Sequence, residues 1–276
     1  MMKKLLLFFV AMCVGFNAYC EGVVLSDTAV EDEVVEESSG VNNYSSSGSD
    51  YKQITIEDVL AKDTSNPLFL TADNHFLSDT FLNFADEKMR LGQYLDYGLN
   101  DNFVLHASIL YQWDFSGHHE NGFSATEIGG VYRMNHGNGE SRIISDALFG
   151  LKLWGSSHVR TPEYADSSYY AGLRFGRNFT WLTLAGTVKS TWVFDNGRGL
   201  SYLNFIPEAY FRFKYDWRAG VGFDFRRSTN TKLLDNQEWL DLKLVKQYGN
   251  TQYVGHFDYE FGDGEVMGGI NIKILF

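Results

Sequence analysis

From residue 76 to residue 276 the chain alternates apolar and polar side chains with a period of two. Residues 103–113 put Phe103, Leu105, Ala107, Ile109, Tyr111 and Trp113 on one side and Val104, His106, Ser108, Leu110 and Gln112 on the other. Residues 217–226 set Trp217, Ala219, Val221, Phe223 and Phe225 against Arg218, Gly220, Gly222, Asp224 and Arg226. This periodicity belongs to β-strands, whose successive side chains point to opposite faces. It predicts twelve strands, at 76–85, 88–98, 103–114, 123–135, 142–154, 168–178, 180–194, 201–214, 216–228, 238–247, 252–262 and 266–276. Turn signals such as "NDN", "HGNGE", "DNGRG", "YGN" and "GDGE" separate them. Pro207, inside one predicted strand, removes a ladder donor and marks a local irregularity.

A soluble sandwich would bury the apolar face, whereas a transmembrane barrel turns it to lipid. Strands of about 10 to 15 residues exceed the usual soluble length and match a tilted membrane crossing. Trp113, Trp192, Phe194 and Trp217 fall near strand ends, where interfacial girdles lie. Longer connections alternate with short ones, and an even count puts both ends of the barrel segment on the short-turn side. The expected fold is therefore all-β, an antiparallel up-and-down transmembrane barrel of about twelve strands, with ten and fourteen as the neighbouring counts.

The residues before the barrel differ in kind. Lys3 and Lys4 followed by the apolar run 5–16 read as a signal peptide, residues 1–20, too short to span a bilayer as a helix. A lipid-bearing Cys20 is the rival reading, disfavoured by the bulky Tyr19. Both cysteines, Cys13 and Cys20, lie here, so the exported chain would carry no disulfide. Residues 21–66 are acidic and rich in Ser, Gly and Asn, and read as mostly disordered, with a short helix near 55–63. The barrel domain is expected over 67–276. Net charge is −12, much of it from this acidic segment, which argues against nucleic acid as a partner.

The closing stretch "INIKILF", with Ile270, Ile272, Ile274 and Phe276 on one face, resembles the last strand of Gram-negative outer-membrane β-barrels. That resemblance implies export to the outer membrane, outer-membrane lipid around the barrel, and recognition of those four residues by the barrel-assembly machinery. It does not choose an activity, because twelve-stranded barrels of this class include solute channels, autotransporter translocators and a phospholipase.

Parity assigns the interior. Lumen-lining bases are Arg90, Arg133, Lys152, Arg174, Lys189, Arg212, Lys214, Arg218, Arg226, Lys243 and Lys273. The facing acids are Asp79, Asp96, Asp114, Glu127, Asp146, Glu208, Asp224, Asp241, Asp258 and Glu260. Such balance suits a polar conduit without strong charge selectivity, or a closed, ion-paired interior. Inward glycines (Gly92, Gly129, Gly150, Gly172, Gly220, Gly222, Gly269) leave room along the strands and favour the conduit. The expected function is a passive channel for small hydrophilic solutes, without cofactor or metal.

Two other classes remain. His106 and Ser108 share a face, a spacing similar to that of membrane-embedded lipid hydrolases, although there the pair faces lipid and here parity turns it inward. A structural or adhesive barrel without transport is the second, and its long outer loops are absent from the pattern. His118, His119 and Glu120 offer too few convergent groups for a metal site and read as a solvated loop. Residues 21–66 are too few and too polar for an autotransporter passenger.

Overall fold

A computed structural model describes residues 59–116, 121–124, 126–137, 142–155, 166–194, 199–231 and 235–276. All of them belong to one compact unit, Lys52–Phe276. The loop residues His118, His119 and Glu120 lie outside the described residues, as do the signal peptide, most of the acidic segment and the start of the expected short helix. Val59 and Leu60 are helical.

The alternating segments form β1 (Phe76–Ala85), β2 (Lys88–Asn100), β3 (Phe103–Asp114), β4 (Gly122–Phe123), β5 (Glu127–His136), β6 (Ile144–Lys152) and β7 (Ser168–Asn178). They continue with β8 (Leu182–Val193), β9 (Ser201–Arg212), β10 (Trp217–Ser228), β11 (Gln237–Tyr248), β12 (Thr251–Glu260) and β13 (Val266–Leu275). Each long strand pairs antiparallel with its neighbours in sequence, and β1 pairs with β13 from Leu77↔Leu275 to Ala85↔Met267. The result is a closed barrel of twelve long strands with the two-residue β4 added beside β3. Closure leaves no free edge, which is why the terminal strand does not fray. Reciprocal hydrogen bonds between Phe76 and Phe276 finish the seam.

Three local departures have physical causes. The expected strand 123–135 is interrupted, so β4 and β5 are separate. Ladder pairing between β9 and β10 skips from Gly222↔Glu208 to Phe225↔Phe205 without a register shift. Pro207, which has no N–H to donate, sits in that gap. A bulge at Gly98–Asn100 ends the β2–β3 ladder.

The two faces separate cleanly. Large apolar groups stay exposed on one surface: Leu105 and Ile109 of β3, Phe149 and Leu151 of β6, Leu173 and Phe175 of β7, Ile270 and Ile272 of β13. A belt of this size has no place in water and fits contact with lipid. Aromatic groups crowd both rims. Trp192 and Phe194 lie at the end with the longer connections, while Trp181, Tyr215, Tyr248 and Phe276 lie at the end with the short turns.

Before β1, residues 61–75 form no strand. They run as a strap that is exposed at Ala61 and Lys62, buried at Asp63, Thr64, Asn66, Leu68 and Thr71, and exposed again from Ala72 to His75. Successive turns compact it. Asn66 N–H donates to the Asp63 carbonyl at 2.9 Å, Phe69 N–H to the Asn66 carbonyl at 2.9 Å, and Leu68 N–H to Asn66 Oδ1 at 3.0 Å. The strap lies inside the short-turn end of the barrel, where its side chains meet residues of β7, β9, β10 and β12.

Candidate functional site: the charged interior and its strap

Register fixes which side chains meet inside. Asp79 of β1 sits beside Lys273 of β13, and the Lys273 ammonium is 3.5 Å from its carboxylate. Asp146 of β6 is flanked by Arg133 and Arg174. It accepts hydrogen bonds from Arg133 Nε at 2.8 Å and from Arg174 Nη2 at 2.6 Å. Asp96 meets His106 Nδ1 at 2.5 Å, with Glu127 4.0 Å from the other ring nitrogen and Lys152 3.7 Å from Glu127. His256 reaches Asp258 at 3.1 Å and Asn83 at 3.0 Å. Asn204 donates to Asp224 at 2.7 Å, and Arg90 to Gln112 at 3.0 Å.

Several residues that parity expects at the lumen are thus brought together across neighbouring strands. Arg226 lies over the Tyr202 ring, 5.4 Å from its centroid, and Lys189 over Tyr170 at 5.2 Å. Asp114 and Glu260 are buried near the opposite end from the strap, where Asp114 holds Ser116 N–H at 2.8 Å and Glu260 holds Asp263 N–H. Lys214 is a correction. It lies beyond the end of β9 in the exposed Phe213–Asp216 turn, because β9 stops at Arg212. Without Lys214 the parity lists hold ten bases and ten acids, and Asp63 adds an eleventh acid from a segment that period-two reasoning does not reach.

Asp63 has no accessible surface. Tyr210 donates its hydroxyl to Oδ1 at 2.7 Å, Arg212 Nε donates to Oδ2 at 2.9 Å, Gln252 donates to Oδ1 at 3.2 Å, and Arg218 Nε lies 3.1 Å from Oδ1. Two guanidinium groups and a phenol satisfy the carboxylate more fully than water would, which is the condition for burying a charge. The rest of the strap is also tied by polar contacts. Thr64 donates to Gln252 at 2.9 Å, Asn66 to Asn178 at 3.1 Å, Arg133 to the Leu68 carbonyl at 2.7 Å and Arg174 to the Phe69 carbonyl at 3.4 Å.

Among the described residues, cavities lie within the barrel. One, of about 330 Å³, is floored by Thr64, Ser65, Asn66, Pro67 and Phe69 of the strap and walled by Asp79, Asp96, His106, Arg174 and Lys273. The other, of about 550 Å³, reaches towards the long-connection end past Arg90, Asp224, Arg226 and Trp239. Glu208 and Lys243 line both, so they stand where the two cavities adjoin. Lys243 Nζ lies 2.7 Å from Asp241 and 3.4 Å from Glu208.

The inward glycines do not leave simple gaps. A Cβ on Gly92 would sit 2.1 Å from the Phe81 ring, and one on Gly150 would sit 2.5 Å from the Tyr170 ring. These positions are seats on which inward rings lie flat against the wall. Periodicity marks the glycines but not the rings, since Phe81 and Tyr170 look like ordinary strand aromatics.

His106 and Ser108 are on the inner face, not on the surface where a lipid ester would lie. The partners of His106 are Asp96 and Glu127, and Ser108 pairs across strands with Tyr94 and Glu127. Nothing in that placement assembles a nucleophile with its base. No group of three His, Cys, Asp or Glu side chains able to hold a metal ion occurs among the described residues.

No protein-family profile matches the chain, and no curated protein sequence matches it. Solved structures do resemble it. The KdgM porin superposes with a TM-score of 0.54 at 15% identity over 72% of this chain and 98% of its own. The NanC porin gives 0.55 at 8% identity over 72% and 98%. An outer-membrane channel from Pseudomonas putida F1 gives 0.54 at 11% identity over 75% and 97%. At these identities the likeness is one of fold: the chain is a twelve-stranded barrel of the kind those membrane proteins have.

Proposed function

We propose that the protein is a passive outer-membrane channel for small hydrophilic solutes. The observation that carries this reading is the pairing of an exposed apolar belt outside with charged cavities inside that share Glu208 and Lys243 in their walls. A barrel built only as a scaffold has no need to keep that much polar space, since an interior of eight strands already fills with side chains. The fold shared with two porins and an outer-membrane channel supports the same reading. Solutes would move down their gradients past Asp79, Asp96, Glu127, Arg174, Glu208, Lys243 and Lys273, whose mutual pairing prevents any one charge from trapping an ion.

Three parts of this reading concern biogenesis. Residues 1–20 act as the export signal and residues 21–66 precede the barrel domain. Ile270, Ile272, Ile274 and Phe276 present the recognition face to the assembly machinery. Outer-membrane lipid then surrounds the belt.

Planar-bilayer recording on the purified, refolded protein tests the channel. Stepwise conductance in potassium chloride is the expected result, and a heat-modifiable protein that stays silent at every voltage would overturn it. The membrane barrel is checked by gel migration with and without heating, where a closed barrel runs faster unheated.

A further inference from the structure

We infer that residues 63–71 are a releasable stopper for the short-turn mouth of the barrel, latched by Asp63. This deepens the channel reading and rests on it. The stopper spans the opening. Asp63 is held by Tyr210 and Arg212 of β9, Arg218 of β10 and Gln252 of β12, while Leu68 and Phe69 are held through their carbonyls by Arg133 of β5 and Arg174 of β7. In the ring of strands β5 lies nearly opposite β10. The stopper also floors the inner cavity, so solute leaving that cavity towards the short-turn end meets Thr64, Ser65 and Asn66.

Its attachments are of a releasable kind. The stopper joins no strand ladder; beside the buried Leu68 side chain it is held by the Asp63 cluster and by separate hydrogen bonds at Thr64, Asn66, Leu68 and Phe69, polar contacts that water can replace when the segment moves out. Some wall groups keep other partners without it, while Tyr210 gives up its bond to Asp63. Arg212 also donates to Thr183 at 2.6 Å and to the Phe179 carbonyl at 3.2 Å, and Arg218 to the Asp216 carbonyl at 2.9 Å. Arg133 and Arg174 keep Asp146, and Gln252 keeps Gln247 at 3.1 Å. Release costs Arg212 and Arg218 their shared carboxylate, a loss that water entering the emptied mouth must offset, and this makes Asp63 the latch. Both ends of the stopper are already in solvent, at Lys62 and at Ala72–His75.

The test uses the full chain carrying Thr71→Cys, a near-isosteric change at a position only 1% exposed. It is read against the unaltered protein to subtract any labelling of Cys13 and Cys20. With Asp63 intact, a water-soluble maleimide labels Cys at 71 slowly. Adding Asp63→Asn removes the charge but not the shape, and should speed labelling about tenfold or more, the response to losing one charge-assisted contact. In bilayers the same variant should spend more time in its larger conductance level. Equal labelling rates with and without Asp63→Asn would overturn the stopper even if the channel conducts. Faster labelling in a protein that never conducts would uphold the latch and remove the channel reading. If Asp63→Asn loses heat-modifiable migration, Arg212→Gln breaks the latch from the wall side and carries the same comparison.

Discussion

Asp146 has no accessible surface, and both of its oxygens are engaged by guanidinium groups, from Arg133 at 2.8 Å and Arg174 at 2.6 Å. A carboxylate in this position neutralises two cations that would otherwise repel each other in a low-dielectric interior. Asp146→Ala leaves both buried without a counter-charge, a change that costs about 3–5 kcal/mol in comparable buried pairs. The expected outcome is a lower urea midpoint for unfolding from lipid vesicles, and an unchanged midpoint would contradict the assignment. Gly98 makes a different kind of single-residue demand. A Cβ there would lie 1.9 Å from the Ala72 carbonyl oxygen, so Gly98→Val must push the strap away from β2. Faster protease cleavage within residues 61–75 checks it, with the barrel itself remaining heat-modifiable.

At the scale of a strand, β13 shows how a period of two serves both environments. Ile270 and Ile272 are exposed on the outer face, whereas Asn271 and Lys273 turn inward to Asp79. Placing a charge on the outer face puts it in hydrocarbon. Ile272→Arg is expected to destabilise the barrel by about 2–4 kcal/mol if the residue lies near the bilayer centre. Refolding yield into vesicles measures this, and Lys273→Gln serves as the contrast because it changes only the lumen. The Tyr215–Asp216 turn joining β9 and β10 has both central residues at positive φ, 59° and 58°. That left-handed pair matches the twist of a tight hairpin but disfavours non-glycine residues.

For the molecule as a whole, the proposed channel would run past two features of the interior. The strap occupies the short-turn end, and Glu208 and Lys243 stand where the two cavities adjoin. Removing the Lys243 ammonium with Lys243→Met leaves Glu208 and Asp241 facing each other without it. Reversal potentials under a salt gradient should then shift towards cation preference, since the fixed charges lining a pore tune its selectivity. No shift would mean that ions do not pass between Glu208 and Lys243.

The alternation of apolar and polar residues by itself determined the long strands and their antiparallel order. Side-chain direction in a strand has only two values, so parity assigns an expected face to every residue of the ladder. On that ground Asp96, Glu127, Arg174 and Lys273 were expected inside, and Ile270 and Ile272 outside. Asp63 was not. It looks like one more acid in a polar leader, and its partners Tyr210, Arg212 and Gln252 lie 147, 149 and 189 residues further along the chain. The seating of Phe81 on Gly92 and of Tyr170 on Gly150 was equally hidden, because it depends on which strands stand side by side. Lys214 was misplaced because the end of β9 is set by the hairpin turn rather than by hydrophobic period. Local pattern fixes a direction for each side chain, but only barrel closure brings distant charges to within hydrogen-bonding distance and decides what occupies the space they enclose.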